Sequence, residues 1–353
     1  MCAKVILDKL EVQITSACNF SCFYCGNNPV LRNEKVPSLN YSAFKKCVDE
    51  LNPKELVITG GEPGLVLEDV KKFFTYSKNK GIQNTLTSNL SLFNKEDLKE
   101  LVNHYGVSKF NSSFNDLNSE MSAMIRGACD GDRNTICENI SYITQGLKKP
   151  LRIETLLLKE TIPYICEIEG FLYDLGLRHH ALEFLNPHGY AGWNMMTSIE
   201  DLVDVVFEVY KHKKKDLLLE LTCNYISPCN VKTEKIYKIK DNNFKIANCF
   251  DGKKVAYLLS NGRLIPCFMY SGDMENNNVN NSSPAYIFEH NPIFKKVKNE
   301  MPQKCATCSY YYNEDNIRTC NNGCWAMMLM ETQNLKEVCC EYVEERIRRG
   351  QYK

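Results

Sequence analysis

Between residues 10 and 190, short apolar β-rich runs alternate with stretches of helical hydrophobic pattern. The runs that predict strands are "KLEVQIT" (9–15), "ELVITG" (55–60), "NTLTSN" (84–89), "KFNSSF" (109–114), "LRIETLLL" (151–158) and "ALEFLN" (181–186). Helical stretches fall between them, as in "YSAFKKCVDEL" (41–51), "LEDVKKFFTYSKNKG" (67–81) and "PYICEIEGFLYDLG" (163–176). Six strand–helix repeats of about 30 residues predict an α/β fold with parallel strands and right-handed crossovers. Sites in such folds lie at the C-terminal ends of the strands. Beyond a helical stretch at 198–215 the pattern becomes irregular. "ENNNVNNSSP" (275–284) reads as a polar loop with no core of its own. "EYVEERIRRGQYK" closes the chain as a basic helical tail, and no solenoid-type repeat is present.

The length of 353 residues suits one large domain and a smaller one, and 44% apolar with 24% charged residues suits a soluble globular protein. Lys plus Arg equals Asp plus Glu at 43 each, so no net field gathers nucleic acid or anionic membrane. "KHKKK" (211–215) ends a helical pattern and reads as a solvated face. No apolar run approaches the ~18 residues of a membrane span. "MCAKVILDKLEV" alternates charged with apolar residues and resembles no signal peptide, which gives a cytoplasmic expectation. Eighteen cysteines then stand out. In a large chain without an export signal, clustered thiols point to metal ligands or catalysts rather than a disulfide framework.

The first cluster lies in "SACNFSCFYCGN" (16–27), where Cys18, Cys22 and Cys25 are spaced CxxxCxxC just after the first predicted strand. Closed iron–sulfur and zinc sites take four protein ligands, so three leave a position open. "TGGEP" (59–63) follows the second strand, with Gly60 and Gly61 permitting close backbone approach and Glu62 offering a carboxylate to an ammonium group. Together these motifs resemble the radical S-adenosylmethionine (SAM) superfamily. The resemblance implies a four-iron, four-sulfur cluster held by three cysteines, its fourth iron left to the amino and carboxylate groups of S-adenosyl-L-methionine. One electron from an external reductant such as flavodoxin or ferredoxin would then release a 5′-deoxyadenosyl radical. Tyr24 fits the family's aromatic position before the third cysteine, near the adenine. The same resemblance gives Ser113 of "SFND" and Arg126 of "IRGACDG" to the cofactor, Arg126 at its carboxylate. Ser88 and Asn89 of "TSN", with Leu185, fit ribose and adenine contacts. For each of these, an ordinary turn residue, a solvated cation or a core leucine is the plainer reading.

The second group begins with Cys249, Gly262 and Cys267 in a C-x12-G-x4-C pattern. "CATC" (Cys305, Cys308), "CNNGC" (Cys320, Cys324) and "CC" (Cys339, Cys340) follow. This resembles the SPASM extension of radical enzymes and implies two auxiliary four-iron clusters. Cys249, Cys267 and Cys324 would serve the first, with Cys229 or Cys223 of "CNYISPC" as its fourth ligand. Cys305, Cys308, Cys320 and one of Cys339 or Cys340 would serve the second. Eleven residues separate Cys308 from Cys320 where the family has five. Structural zinc is the alternative, since thiolates suit both metals. Cys2, Cys47, Cys129, Cys137 and Cys166 read as small buried hydrophobes. His188 in "LNPHGYAGW" (185–193) and Cys223 are the remaining catalytic candidates, although a loop histidine is more often simply exposed.

The expected architecture is a partial (β/α)6 TIM-type barrel over 8–215, a small cysteine-rich SPASM domain over 216–340 and a helical tail over 341–353. The expected activity is hydrogen abstraction from a peptide or small-protein substrate under anaerobic conditions, ending in a crosslink, epimerisation or oxidation. About ten residues precede the first strand, so a substrate leader would dock elsewhere. A small-molecule radical dehydrogenase is the second reading. A non-catalytic iron–sulfur or zinc protein is the third, against which the intact GGEP argues, because a structural site needs no amino-acid pocket.

Overall fold

The computed structural model describes residues 5–26, 38–222, 234–247, 249–306, 324–332 and 335–336. All six predicted strands are present: β1 (Lys9–Gln13), β2 (Glu55–Thr59), β3 (Gln83–Thr87), β4 (Val107–Ser113), β5 (Leu151–Leu156) and β6 (His179–Glu183). Each ends one to three residues before the predicted boundary. The residues beyond turn into loops; Thr15, for instance, offers its carbonyl to Gly61 rather than to a strand ladder. Helices α1 (Tyr41–Leu51), α2 (Leu67–Asn79), α3 (Lys95–Asn103), α4 (Ser119–Arg126), α5 (Asp130–Ser141), α6 (Ile165–Asp174) and α7 (Ile199–His212) intervene or follow. Several starts are fixed by side-chain caps: Asn40 accepts from Ser42 and Ala43, and Asn94 and Asp97 form a reciprocal capping box.

Four further strands come from the region after 215: β7 (Leu218–Thr222), β8 (Phe244–Ile246), β9 (Val255–Leu258) and β10 (Leu264–Ile265). They extend the same sheet, whose order is β10-β9-β1-β2-β3-β4-β5-β6-β7-β8. Every neighbouring pair is parallel except β9 with β10. The sheet curls as a TIM-like partial barrel and does not close. Its architecture is the expected α/β one.

Its two faces differ in chemistry. On one, Leu10, Val12, Leu56, Ile58, Leu86, Phe110, Ile153, Leu182 and Leu219 are buried in the core. There α1 and α2 supply Phe44 and Phe73, stacked with centroids 4.1 Å apart. Burying each such ring stabilises the fold by roughly 2–3 kcal/mol. The other face alternates with the first and is polar: Glu11, Thr85 and Lys109 share one register line with Val57, and Asn111 pairs with Arg152. Parallel sheets are usually apolar on both faces. A polar inner face is what an open cavity needs. The segment 275–284 is not wholly solvated: Val279 and Asn277 are buried, and Val279 N–H donates to the Gly262 carbonyl at 2.9 Å. Among the described residues no helix is long and apolar enough to cross a membrane.

Candidate active site and cysteine centres

The loops after β1, β2 and β3 lock together at the C-terminal end of the barrel. Gly61 N–H donates to Thr15 O and Glu62 N–H to Ala17 O, both at 2.7 Å. A Cβ on Gly61 would stand 2.0 Å from Ala17 O, and one on Gly60 2.8 Å from Thr15 O. The two glycines therefore let the second loop press onto the backbone that leads into Cys18. Glu62 is fully buried. Its Oε1 accepts from Gly64 N–H at 2.8 Å and Ser88 Oγ at 2.7 Å, and its Oε2 from Asn89 N–H at 2.9 Å. Burial pushes this carboxyl above the ordinary range, while the three hydrogen bonds pull it back. A carboxylate offers about four acceptor positions, so Oε2 retains capacity for an ammonium donor. Asn89 Nδ2 also donates to Asn19 Oδ1 at 2.9 Å, and Asn19 Nδ2 to Ser91 Oγ at 2.9 Å, tying the third loop to the cysteine loop.

Cys18 Sγ accepts from Phe20 N–H at 3.4 Å. Burial pushes its thiol up to about 12, helped by the negative charges of Glu62, Cys22 and Cys25 nearby. Such thiols stay protonated at neutral pH unless a cation compensates them, which a cationic iron core does. Among the described residues no three His, Cys, Asp or Glu side chains gather tightly enough for a single metal ion. A zinc ion would require all its sulfurs within about 2.3 Å of one point. A four-iron core instead takes one thiolate at each of several separate corners.

The cysteine loop is held from two further sides. Ser21 N–H donates to Arg126 O at 2.8 Å and Phe23 N–H to Ile125 O at 3.3 Å. Gly127 ends α4 in the left-handed region (φ 64°), and a Cβ there would meet Ser21 Oγ at 2.1 Å. Arg126 is only 1% exposed. It donates to Ser113 O at 2.7 Å and lies 3.5 Å from Asp116, which also pairs with Arg133 at 2.8 Å. Its Nε makes no hydrogen bond. Tyr24 takes a hydrogen bond from Asn115 at 2.7 Å, and Asn115 in turn accepts from Leu156 N–H. On the other side, Tyr190 N–H donates to Cys25 O at 3.0 Å. His188 is half-buried, its Cδ2 3.1 Å from where a Cβ on Gly26 would stand, and burial pushes its imidazole below the ordinary value. Leu185 is buried in the core. The structure thus brings Tyr24, Glu62, Ser88, Asn89, Ser113, Arg126 and His188 around one loop.

A second thiol centre lies toward the N-terminal ends of β1 and β9. Cys267 is buried and feels Asp251, Cys249 and Cys324, in that order, after the dominant effect of burial. Its sulfur accepts a backbone N–H from Met269, and the Cys324 sulfur accepts from Met327 and Ala326 at the start of the helix Trp325–Thr332. Such N–H···S bonds favour thiolates and tune clusters. Burial pushes Asp251 up to about 6. Cys305 sits in the short helix Gln303–Ala306. Cys223, Cys229, Cys308, Cys320, Cys339, Cys340 and Cys2 lie outside the described residues. Of the thiols expected as buried hydrophobes, Cys47 is buried, Cys137 and Cys166 are half-buried, and Cys129 is exposed just before α5. Asn19, Asn115 and Asp251 carry no motif, and only the three-dimensional arrangement shows their place.

Residues 12–165 match the profile of the radical SAM superfamily. A GTP 3′,8-cyclase of Clostridium botulinum is 26% identical over 253 residues, 64% of this chain and 77% of that one. An uncharacterized protein of Methanocaldococcus jannaschii is 26% identical over 205 residues, 54% of this chain and 68% of that one. Among solved structures, Streptococcus suis SuiB bound to precursor peptide SuiA has a TM-score of 0.68 at 15% identity, covering 93% of this chain and 74% of that one. At that identity the likeness is one of fold. The profile spans the first strands and both motif loops, so residues 12–165 form a radical SAM domain, of the superfamily that uses a four-iron, four-sulfur cluster and S-adenosylmethionine.

Proposed function

We propose that the enzyme abstracts hydrogen from a peptide or small-protein substrate held against the polar inner face of the barrel. Cys18, Cys22 and Cys25 would hold the cluster, and Glu62, Tyr24, Ser88, Asn89, Ser113, Arg126 and Leu185 would line the S-adenosylmethionine site. When bound, this pair supplies a carbon-centred radical able to take an unactivated hydrogen. The residues' own work is to hold the cysteine loop rigid from three sides and to keep water away from it. Cys249, Cys267 and Cys324 would ligate an auxiliary cluster, and the thiols from Cys305 onward a second. SuiB, whose fold covers most of this chain, was solved with a precursor peptide.

The charge balance of the inner face carries the choice of substrate. Lys9 pairs with Glu11, Lys109 with Glu55, Arg152 with Glu154 and Glu220, and Lys245 with Glu220. A nucleoside triphosphate needs several cations free to meet its phosphates. These are already matched by carboxylates, an arrangement that suits a near-neutral chain of amides. The relatives that are GTP 3′,8-cyclases support the second reading, a small-molecule substrate. The reaction is not expected to be formylglycine formation. Phe268 follows Cys267 where the sulfatase-maturing relatives place an aspartate base, and its ring lies 6.4 Å from that of Tyr257. A phenyl ring accepts no proton.

Anaerobic turnover with a reductant, S-adenosylmethionine and either GTP, a sulfatase-type Cys or Ser peptide, or peptides encoded beside the gene tests this by mass spectrometry. The expected result is modification of a neighbouring peptide with GTP and the sulfatase peptide unchanged. Consumption of GTP with every peptide intact would overturn the substrate class. Formylglycine in the sulfatase peptide would show that another base replaces the aspartate.

A further inference from the structure

We infer that Asp251 is the fourth protein ligand of the cluster at Cys249, Cys267 and Cys324. The inference rests on the reading of those three cysteines as cluster thiolates. Asp251 follows Cys249 by two residues and forms the isolated bridge with Val255 that leads into β9. Gly252, next to it, packs against Pro266, where a Cβ would meet Pro266 Cβ at 2.9 Å, so the carboxylate stands beside the segment of Cys267, and its charge reaches Cys267 and Cys324. The carboxyl is therefore within electrostatic reach of the thiols of two other chain segments, one after β10 and one opening the helix Trp325–Thr332. Tyr257 Oη lies 3.1 Å from both Oδ1 and Oδ2, which fixes the plane of the carboxylate and leaves each oxygen a lone pair.

No ion pair among the described residues includes Asp251. Lys9 is within electrostatic reach but is paired with Glu11. A half-buried carboxylate without a paired cation is costly, and an iron corner would compensate it. No cysteine occurs between Cys249 and Cys267, so within this segment the aspartate is the residue able to complete the set. As a hard oxygen donor it would make its iron distinct from the three thiolate-bound ones.

The test uses the full chain carrying C18A/C22A/C25A, so that the C-terminal centres are observed alone, reconstituted anaerobically with iron and sulfide. Asp251→Ala is expected to lose about one iron per chain and to show the oxidised-state electron paramagnetic resonance signal of a three-iron cluster. Asp251→Cys is expected to keep four irons there, with the three-iron signal absent. Any other pattern overturns the assignment. In particular, an unchanged spectrum for Asp251→Ala would leave the residue a charged neighbour of Cys267. A three-iron signal in C229A or C223A, but not in Asp251→Ala, would place the fourth ligand there. Cys267→Ala separates the two levels: if it leaves the spectrum unchanged, the reading of the three thiols itself fails.

Discussion

At Gly61 a single hydrogen atom decides how closely two loops can approach. Ala17 O occupies the space a Cβ would need, 2.0 Å away, so an alanine must push the cysteine loop off its seat. Gly61→Ala is expected to lower 5′-deoxyadenosine production at least tenfold while far-UV circular dichroism stays unchanged. Unaltered production would mean that the loop contact does not position the cysteines. Glu62 and Arg126 make a related point. The motifs single out both as cofactor residues, which is an expectation from sequence. Their engagement with Ser88, Asn89, Ser113 and Asp116 is not, because Glu62's partners lie after β3 and Arg126's at and just after the end of β4, and none shares a local pattern with it. Each residue thus braces the site, and on the proposed reading Glu62 keeps an Oε2 lone pair for the cofactor, while Arg126 Nε already faces Asp116 at 3.5 Å.

The strands and helices of the barrel follow from period and caps, which is why α1 spans the predicted 41–51 and all six strands appear. What the pattern does not reveal is that β7 to β10 join the same sheet. β10 has only two residues and β8 three, too short for a periodic signal, and β9 pairs with β1 across more than two hundred residues of chain. At the other flank, Glu220 on β7 links three elements. It bonds His179 on β6 and pairs with Arg152 on β5 and Lys245 on β8. Burial raises its pKa, but the His179 hydrogen bond and the charges of Arg152 and Lys245 outweigh this and leave it at about 2. Its contribution is therefore present above its unfolded value of 4.5 and lost as pH falls toward 2. Glu220→Gln should cost about 3 kcal/mol at pH 7, since it leaves the half-buried Arg152 with one carboxylate fewer. Urea unfolding without clusters in either protein should show that difference narrowing below pH 4.5. A difference constant with pH would mean that the ion pairs do not stabilise the sheet.

For the whole molecule, the two thiol centres lie toward opposite ends of one sheet. From Lys9 to Gln13 the strand β1 rises roughly 13 Å. The cysteine loop of Cys18 follows its C-terminal end and the Cys249, Cys267 and Cys324 thiols lie toward its N-terminal end, with the polar inner face between them, which on the proposed reading receives substrate. About twelve irons per fully reconstituted chain are expected, four in each of three clusters. About eight would mean that one auxiliary cluster is absent, most directly through the long spacing before Cys320. Stoichiometric zinc without charge-transfer absorption would overturn the cluster reading of these thiols. The most direct test of the central claim is anaerobic incubation with dithionite and S-adenosylmethionine, reading 5′-deoxyadenosine by chromatography. The native chain should produce it, and the C18A/C22A/C25A variant should fall to background while the absorption of its C-terminal clusters persists. Full production by that variant would contradict the account.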